Sequence, residues 1–424
     1  MKPLTIFFLY FYLTSCIAQI PPSAFVVNTL GESLSIINLQ NQIVLQPPKP
    51  LGLFANDIEV SREKAYVVIS GLNEIRIFDL MTLNDQGSIY LGSGTNPYGI
   101  ALVNDSIAAV SLLLTNQVAI INVNTRQIET SVSVGSGPQG VLYSEGKLYV
   151  ANSGFNGAGY DPGKVSVIDL NGYAVSEINV GINPQSLDVD SQGNIIVACS
   201  GDYGSIGARM DIIDSQLGAV VFSQALNQPI TTVAVNQQNT AYLATYGSGV
   251  MVFDLSQRLF IRDENNPLKG GPAIAFDHED NAYVCHFDLD SIYVYSRIHQ
   301  RLAAYLVGDG PISIAVYDPA FSSLGNIEDC TPTEIQLFQN FPNPFNPQTL
   351  IKLQLPGRAM VRVDILNIRG QVILKMFQGE LGAGIHTFPW NGQDRAGKIV
   401  TSGLYFYRLK TVGFEQVKSM LFLK

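Results

Sequence analysis

The sequence has little charge for its length. Asp, Glu, Lys and Arg make up 14% of its 424 residues, whereas soluble domains average about 25%. The hydrophobic fraction is an ordinary 46%, with 38 Gly and 21 Pro, so the composition excludes a disordered chain and a coiled coil. At about 150 residues per domain, the length predicts two or three domains, or one large repeat domain and a smaller one.

Cysteine and histidine are also scarce, with four of each. No C-x-x-C pair, P-loop, G-x-S-x-G or H-E-x-x-H motif is present. Cys199 and Cys285 lie in apolar strand-like segments, which favours small buried side chains. His278 fits either a turn, which the repeat described below favours, or a metal ligand. Asp288 and Asp290 lack the glycine and glutamate of a calcium loop. We predict no catalytic residue, metal site or cofactor.

Positive charge is rare in most of the chain. Residues 1–330 contain 14 Lys and Arg against 30 Asp and Glu, whereas residues 331–424 contain 11 against 5. The acidic main part offers no electrostatic footprint for nucleic acid, and the basic residues of the tail are spread along its strands. No nucleic-acid partner is therefore predicted.

Long apolar runs are missing except near the start. Lys2 precedes an apolar stretch over residues 4–13, and small residues follow, which is the layout of a secretory signal peptide over residues 1–18. Residues 13–16 also resemble a lipobox that would lipidate Cys16, whereas cleavage after Ala18 would remove that cysteine. No other segment approaches the about 20 apolar residues of a membrane helix, so no transmembrane helix is predicted.

A short apolar segment recurs seven times along the chain. Consecutive copies are 40 to 46 residues apart. Every copy but the first follows a proline, which can lead into a sheet without donating a ladder hydrogen bond. The seven segments are residues 58–60, 100–102, 141–143, 187–189, 233–235, 274–276 and 314–316, and the prolines are Pro97, Pro138, Pro184, Pro229, Pro272 and Pro311.

Each of the first six segments opens a four-strand unit. A polar turn and a second strand follow it, and the third strand usually ends in Asp or Asn, as at Asp79, Asp169, Asp214 and Asp254, where the side chain can bond the turn backbone. A unit of this length is a β-propeller blade. The seventh segment lacks later strands, and residues 24–39 supply them. We therefore predict an all-β fold with a seven-bladed β-propeller over residues 20–320, closed by N-terminal strands.

Two loops between second and third strands are unusually long. They carry Phe155, Tyr160 and Asp161 in one repeat and Asp202 and Tyr203 in the next. Exposed aromatic residues on a rigid scaffold can form a recognition surface. The alternative is that these glycine-rich loops vary in length and sequence without a binding role. We expect the two loops to lie side by side and treat these five residues as candidate binding residues.

The repeat stops before a linker over residues 321–334, and a second domain occupies residues 335–424. Its alternating segments cover residues 349–355, 359–366, 371–378, 384–390, 403–410 and 414–423, divided by Gly, Asn and Asp turns. About seven short strands in 90 residues predict an immunoglobulin-like β-sandwich.

Both parts of the chain resemble known families. The sequence Tyr-Val-Ala-Asn at residues 149–152 and the lead-in at Pro138 resemble the YVTN family of β-propellers, a resemblance that marks a fold and no activity. The tail resembles the type A C-terminal sorting domain of the type IX secretion system, related to the Ig-like domain of flagellar hook-capping proteins. The matching residues include Pro342, Asn343, Pro344, Phe345, Asn346, Pro347, Gly403, Tyr405 and Lys424.

The resemblance of the tail implies an address recognised by secretion machinery at the outer membrane, often removed, with the cargo released or attached to the cell surface. On this basis we expect a secreted or cell-surface propeller that binds an extracellular protein, a glycan or a small molecule. The alternative is an extracytoplasmic propeller enzyme, a lactonase or a virginiamycin B lyase-like enzyme, which requires acidic or His residues converging on one mouth of the channel.

Overall fold

The protein is described from a computed structural model. The structure describes residues 20–319, 335–338, 340, 343–355, 358–381, 384–395 and 397–423. The predicted signal peptide with Cys16, the linker, Pro342 and Lys424 lie outside the described residues. Contacts divide the chain into two compact units, Met1–Leu324 and Gly325–Lys424.

The first unit begins with four short strands that belong to one sheet. They are β1 (Ser23–Asn28), β2 (Ser33–Asn38), β3 (Ile43–Val44) and β4 (Lys49–Pro50). β3 and β4 both pair with β2 and together make the outer edge of that sheet.

Six four-stranded antiparallel sheets follow, each formed by consecutive strands. The first three consist of β5 (Ala55–Val60), β6 (Lys64–Ile69), β7 (Glu74–Asp79) and β8 (Asp85–Tyr90); β9 (Pro97–Leu102), β10 (Ile107–Leu112), β11 (Gln117–Asn122) and β12 (Gln127–Ser133); and β13 (Pro138–Ser144), β14 (Lys147–Asn152), β15 (Lys164–Asp169) and β16 (Ala174–Asn179).

The fourth to sixth sheets repeat this order. They consist of β17 (Pro184–Val189), β18 (Ile195–Cys199), β19 (Ala208–Asp214) and β20 (Ala219–Leu226); β21 (Thr232–Val235), β22 (Thr240–Ala244), β23 (Val250–Asp254) and β24 (Leu259–Arg262); and β25 (Ile274–Phe276), β26 (Ala282–His286), β27 (Ser291–Tyr295) and β28 (Arg301–Leu306). Two 3₁₀ turns, Ser70–Leu72 and Phe287–Leu289, join second to third strands.

The seventh sheet closes the ring. Its inner strand is β29 (Pro311–Tyr317), which pairs antiparallel with β1, with Ser23 opposite Tyr317 and Val26 opposite Ile314. Every residue of β1 is buried, as expected for a strand with partners on both sides. The inner strands of all seven sheets contact one another in sequence around a central channel. The predicted fold, a seven-bladed propeller followed by an Ig-like domain, is confirmed.

The core of the propeller is divided among the interfaces between blades. Seven apolar clusters are found in the described part of this unit, one between each pair of neighbouring sheets. The second and third strands are packed on both faces, so β18 is buried throughout, whereas the outermost strand β20 alternates between exposed and half-buried residues. This gradient follows because neighbouring blades cover the second and third strands on both faces, whereas the fourth strand lies at the outer edge of each sheet.

The second unit is a two-sheet sandwich. Its strands are β30 (Gln336–Leu337), β31 (Thr349–Leu355), β32 (Ala359–Leu366), β33 (Val372–Leu381), β34 (Gly384–Trp390), β35 (Gly403–Thr411) and β36 (Phe414–Phe422). One sheet has the order β30-β31-β34 and the other β33-β32-β35-β36. Trp390 and Tyr407 are fully buried in the core between them.

No helix among the described residues has both the length and the apolar character needed to cross a membrane.

Candidate functional site

The order of the strands brings two kinds of connection to one face of the propeller. Successive antiparallel strands reverse direction, so the turns between second and third strands lie at the same end as the connections from each outer strand to the next inner strand. We call this end the upper face. The turns between first and second strands and between third and fourth strands form the lower face.

Exposed apolar side chains are concentrated on the upper face. Among the described residues of the propeller, ten large ones lie on this face, four on the lower face and nine along the outer strands. The imbalance between the two faces marks the upper face as the candidate interaction surface. The ten are Leu30, Leu53, Phe54, Leu72, Leu114, Phe155, Tyr203, Ile206, Tyr246 and Leu289.

The two long loops of the upper face meet through their aromatic rings. The ring centroids of Phe155 and Tyr160 are 5.6 Å apart, and those of Tyr160 and Tyr203 are 6.2 Å apart. Phe155 and Tyr203 are 54% and 57% exposed. Gln185 at the upper end of β17 donates a hydrogen bond to the Tyr203 hydroxyl at 2.8 Å. The structure thus brings the three predicted aromatic residues into one row, which we call the aromatic row.

The two predicted carboxylates shape their own loops. Oδ1 of Asp202 accepts hydrogen bonds from the backbone N–H groups of Gly204 and Ile206, both at 2.8 Å. These bonds favour the charged form and lower the pKa of Asp202. Oδ1 of Asp161 accepts a hydrogen bond from Asn156 at 3.1 Å. Both side chains therefore hold the loops in shape beneath the exposed rings.

A pocket of about 430 Å³ lies on the upper face between the first and second blades. Its walls include Phe54 and Leu114 from two connections and Tyr98 from the inner strand β9. Asn73 and Asn96 contribute side-chain amides. No single repeat of the sequence predicts this pocket, because its lining residues come from neighbouring repeats. The one sequence signal for the pocket was the presence of asparagines at turns. Asn73 and Asn96 have φ of 53° and 48°, the left-handed conformation that Asn tolerates.

Carboxyl groups from opposite sides of the ring line the channel. Asp57 and Glu59 lie on β5 and Asp188 on β17, all half-buried. Burial, followed by the charge of Asp57, raises the pKa of Glu59 to about 8, with a smaller contribution from Asp188. Because β5 and β17 are inner strands of the first and fourth blades, Glu59 and Asp188 lie on opposite sides of the channel. The signal in the sequence was a carboxylate inside two of the seven apolar segments.

Asp57 and Asp188 also connect neighbouring inner strands. Oδ2 of Asp57 accepts a hydrogen bond from the backbone N–H of Ile100 at 3.1 Å, and Oδ2 of Asp188 accepts one from Val235 at 2.6 Å. Burial raises the pKa of each aspartate to about 6, against the effect of these bonds. In contrast, Glu59 makes no hydrogen bond to another side chain among the described residues, and a backbone hydrogen bond with Val60 acts against the rise of its pKa.

The other candidates of the sequence analysis have structural roles. His278 lies in the lower-face turn of the sixth blade, with Nδ1 at 2.6 Å from Oδ2 of Asp318 at the end of the seventh inner strand. Cys199 and Cys285 are buried free thiols. Among the described residues, no three His, Cys, Asp or Glu side chains converge as metal ligands would.

The described residues of the sorting motif help to close the sandwich. The ring of Phe345 lies 5.5 Å from that of Trp390 and 5.0 Å from that of Phe422, and its backbone bonds Leu421 and Leu423. Oδ1 of Asn343 accepts a hydrogen bond from Leu421 at 2.8 Å.

The rest of the motif divides between core and surface. The ring of Tyr405 packs on Trp390, and its hydroxyl donates to the carbonyl of Thr401 at 2.8 Å. Gly403 begins β35, and Pro344, Asn346 and Pro347 are exposed.

Residues 343–413 match the FlgD Ig-like domain. This match covers strands β31 to β35 of the sandwich. No curated protein sequence matches the chain.

Solved structures resemble the propeller in fold. Hydrazine synthase of Kuenenia stuttgartiensis matches with a TM-score of 0.53 and 16% identity over 63% of this chain and 96% of that chain. Virginiamycin B lyase of Staphylococcus aureus matches with a TM-score of 0.52 and 13% identity over 64% of this chain and 93% of that chain. A quinoprotein alcohol dehydrogenase-like protein of Bacteroides thetaiotaomicron matches with a TM-score of 0.53 and 18% identity over 70% of this chain and 78% of that chain. At such identities the likeness shows a shared propeller-like fold alone.

Proposed function

We propose that the protein is a secreted or cell-surface binding protein whose propeller holds its ligand on the upper face. The concentration of exposed apolar and aromatic side chains on that face carries the proposal, since exposed apolar patches usually mark interaction sites. The rings of Phe155 and Tyr203 stand on loops anchored to the rigid ring of blades, which is how binding residues are commonly presented.

The binding proposal is tested by truncating these two rings. We expect Phe155→Ala and Tyr203→Ala each to weaken retention of the protein on cells or extracellular material of its native host, by about 5- to 30-fold, as for a side chain at the centre of an interface. Leu306→Ala, which removes an apolar side chain on the outer strand β28 that is 73% exposed, serves as the control. Equal retention of all three variants would contradict the proposal.

For export, we propose that the Ig-like domain is the address read by a type IX-like secretion system after a signal peptide has led the chain to the periplasm. The match to the FlgD Ig-like domain and the sorting-motif residues support this route. The proposal includes the YVTN kinship of the propeller, which rests on residues 149–152 and the proline-led inner strands.

The export proposal is tested with a reporter protein in a host that has type IX machinery. A signal peptide and residues 335–424 fused to the two ends of the reporter should place it on the cell surface or in the medium. The same reporter with the signal peptide alone should stay in the periplasm. A tailed reporter found only in the periplasm would contradict the proposed route.

A second candidate function is an enzyme acting at the channel, a lactonase or a lyase resembling virginiamycin B lyase. The carboxyl pair across the channel favours it, because a glutamic acid with a pKa near 8 is protonated at neutral pH and can act as a general acid. We expect an enzyme of this kind to lose turnover of its lactone substrate in Glu59→Gln but not in Glu63→Gln, on the lower face. Absence of turnover for a panel of lactones, with or without Ca²⁺, Mg²⁺ or Zn²⁺, would weigh against it.

A further inference from the structure

We propose that the pocket between the first and second blades binds a neutral sugar residue of a glycan. This proposal rests on the upper face being the binding face and names the class of ligand. Its volume of about 430 Å³ falls within the about 300–1,000 Å³ that small-ligand sites occupy.

The pocket offers several hydrogen-bonding groups that the protein leaves unused. Within the described part of the chain, Nδ2 of Asn73, Oδ1 of Asn56 and the whole side-chain amide of Asn96 have no partner in hydrogen-bonding distance, whereas Nδ2 of Asn56 donates to Ser70. The free groups include both donors and acceptors. A ligand that uses all of them must donate and accept at several points, as the hydroxyl groups of a sugar do.

The walls of the pocket are apolar and partly planar. Phe54 and Leu114 are 64% and 65% exposed, and Tyr98 forms the side towards the channel. Aromatic faces pack well against the C–H groups of a sugar ring while the amides reach its hydroxyls. This combination of apolar walls with a few placed polar groups is the usual composition of a small-molecule site.

The residue types in the described lining of the pocket argue against a charged ligand. None of the described residues that line the pocket is Asp, Glu, Lys or Arg. A phosphate or carboxylate would be removed from water without a cation to pair with, and an ammonium group without a carboxylate, and both are costly. A neutral ligand rich in hydroxyl groups avoids this cost.

The side-chain amide of Asn73 is held in place before any ligand arrives. Oδ1 of Asn73 accepts hydrogen bonds from Oγ1 of Thr95 at 3.2 Å and from the backbone N–H of Asn96 at 3.0 Å. The turn that carries Asn73 packs closely against the neighbouring connection, since a Cβ on Gly71 would come within 2.5 Å of the carbonyl oxygen of Leu53. A rigid site loses less entropy on binding than a mobile one.

The pocket and the aromatic row lie on the same face of the propeller. Tyr98 lies at the upper end of the inner strand β9, and Phe155, Tyr203 and Tyr246 are exposed on upper-face loops. Exposed rings at Phe155 and Tyr203 can therefore accept further sugar residues of the same chain. We expect an oligosaccharide to bind more tightly than a monosaccharide.

The experiment uses the full chain in native gels that contain dextran, mannan, xylan or β-1,3-glucan, followed by calorimetry with oligosaccharides of the retarding polymer. Phe54→Ala removes a wall, and Asn96→Gly removes an amide while keeping a residue suited to the left-handed conformation. Tyr90→Ala is the matched aromatic control on the outer strand of the same blade, and Asn239→Gly is the left-handed control on the lower face.

We expect retardation by at least one neutral polysaccharide, and an increase in Kd of at least 10-fold in Phe54→Ala and Asn96→Gly with both controls unchanged. Retardation by none of the neutral polymers, or equal binding by the pocket variants and the controls, would overturn the proposal. If Phe155→Ala and Tyr203→Ala still weaken retention on native material in that case, the binding face stands and only the sugar assignment fails. Retardation by anionic alginate alone would likewise overturn it.

Discussion

Among the three channel carboxyl groups, Glu59 has the pKa that is raised furthest, so its contribution to stability depends on pH. A carboxyl group whose pKa is higher in the folded than in the unfolded protein binds its proton more tightly when folded. The folded protein is therefore stabilised by this group at low pH, and the contribution is lost as pH rises from about 4.5, the ordinary value, to about 8.

We expect Glu59→Gln to be more stable than the wild type at pH 8, by on the order of 1–3 kcal/mol, and the difference to shrink towards pH 4, because glutamine has no charge to bury. Urea unfolding at pH 4, 6 and 8 measures this. Glu63→Gln, at an exposed lower-face turn, should show no such trend. A stability difference independent of pH would contradict the raised pKa.

Gly181 is fixed by close packing where the outer strand of the third blade leads to the fourth. Its backbone N–H donates to Oδ2 of the fully buried Asp211 at 2.7 Å, and a Cβ at this position would lie 2.7 Å from Cβ of Cys199. Gly135 and Gly308 make the same kind of bond, to Ser166 and Ser35 of the third strands. A glycine thus joins three of the connections to the blade beside it.

We expect Gly181→Ala to lower the free energy of unfolding by about 1–3 kcal/mol, the usual cost of overpacking a tight site. Gly172→Ala is the matched control, since a Cβ there meets no atom within 4 Å. Thermal unfolding compares the two. Equal stability of both variants would show that the connection can move away from β18 at no cost.

At the scale of elements, the ring depends on β1. This strand lies between β2 and β29 and is buried at every residue, although β1 and β29 are far apart in the chain. Without it, β29 would present an unpaired edge and the apolar clusters on both sides of the seventh blade would be open to water.

We expect deletion of residues 20–45 to unfold the propeller and leave the sandwich folded. Circular dichroism follows the propeller, and fluorescence follows the sandwich, because the single tryptophan of the chain is Trp390 in its core. Loss of the strand signal together with an unchanged tryptophan transition is the expected result. A deletion variant that melts like the full chain would contradict closure by β1.

At the scale of the whole molecule, the two units have separate cores, so one unit can be removed while the other stays folded. The propeller and the sandwich have their own apolar clusters, so removal of one need not unfold the other. Such a division suits a functional domain that is followed by a removable sorting domain.

We expect the protein from its native host to begin near Gln19 and to end before about residue 335 when it is collected from the medium. Intact mass measured on cells and on medium gives both ends at once. A lipid mass on Cys16 would select the lipobox over cleavage after Ala18. A species in the medium that retains Lys424 would mean that the sandwich stays on the protein, and the proposed removal would be wrong.

Much of the fold could be predicted from the sequence, because the strands of the propeller and the sandwich follow a local periodicity. The apolar segments at 40- to 46-residue spacing became inner strands, and the predicted strands over residues 349–355, 359–366 and 384–390 coincide with β31, β32 and β34. The meeting of the two long loops through Tyr160 and Tyr203 also follows from their equivalent positions in adjacent repeats. The pocket at Phe54 and Tyr98 could not be found this way, because no single repeat contains its lining.

The sequence by itself determined the number of blades, the Ig-like domain and the loops that carry the aromatic row, since each follows from alternation, spacing or turn chemistry within a short stretch. Only the tertiary structure decided which polar groups are left without partners in the pocket and which carboxyls face each other across the channel. Burial and hydrogen bonding at Asn96, Glu59 and Asp188 depend on residues that are distant in the chain, and the packing of blades around the ring brings those residues together.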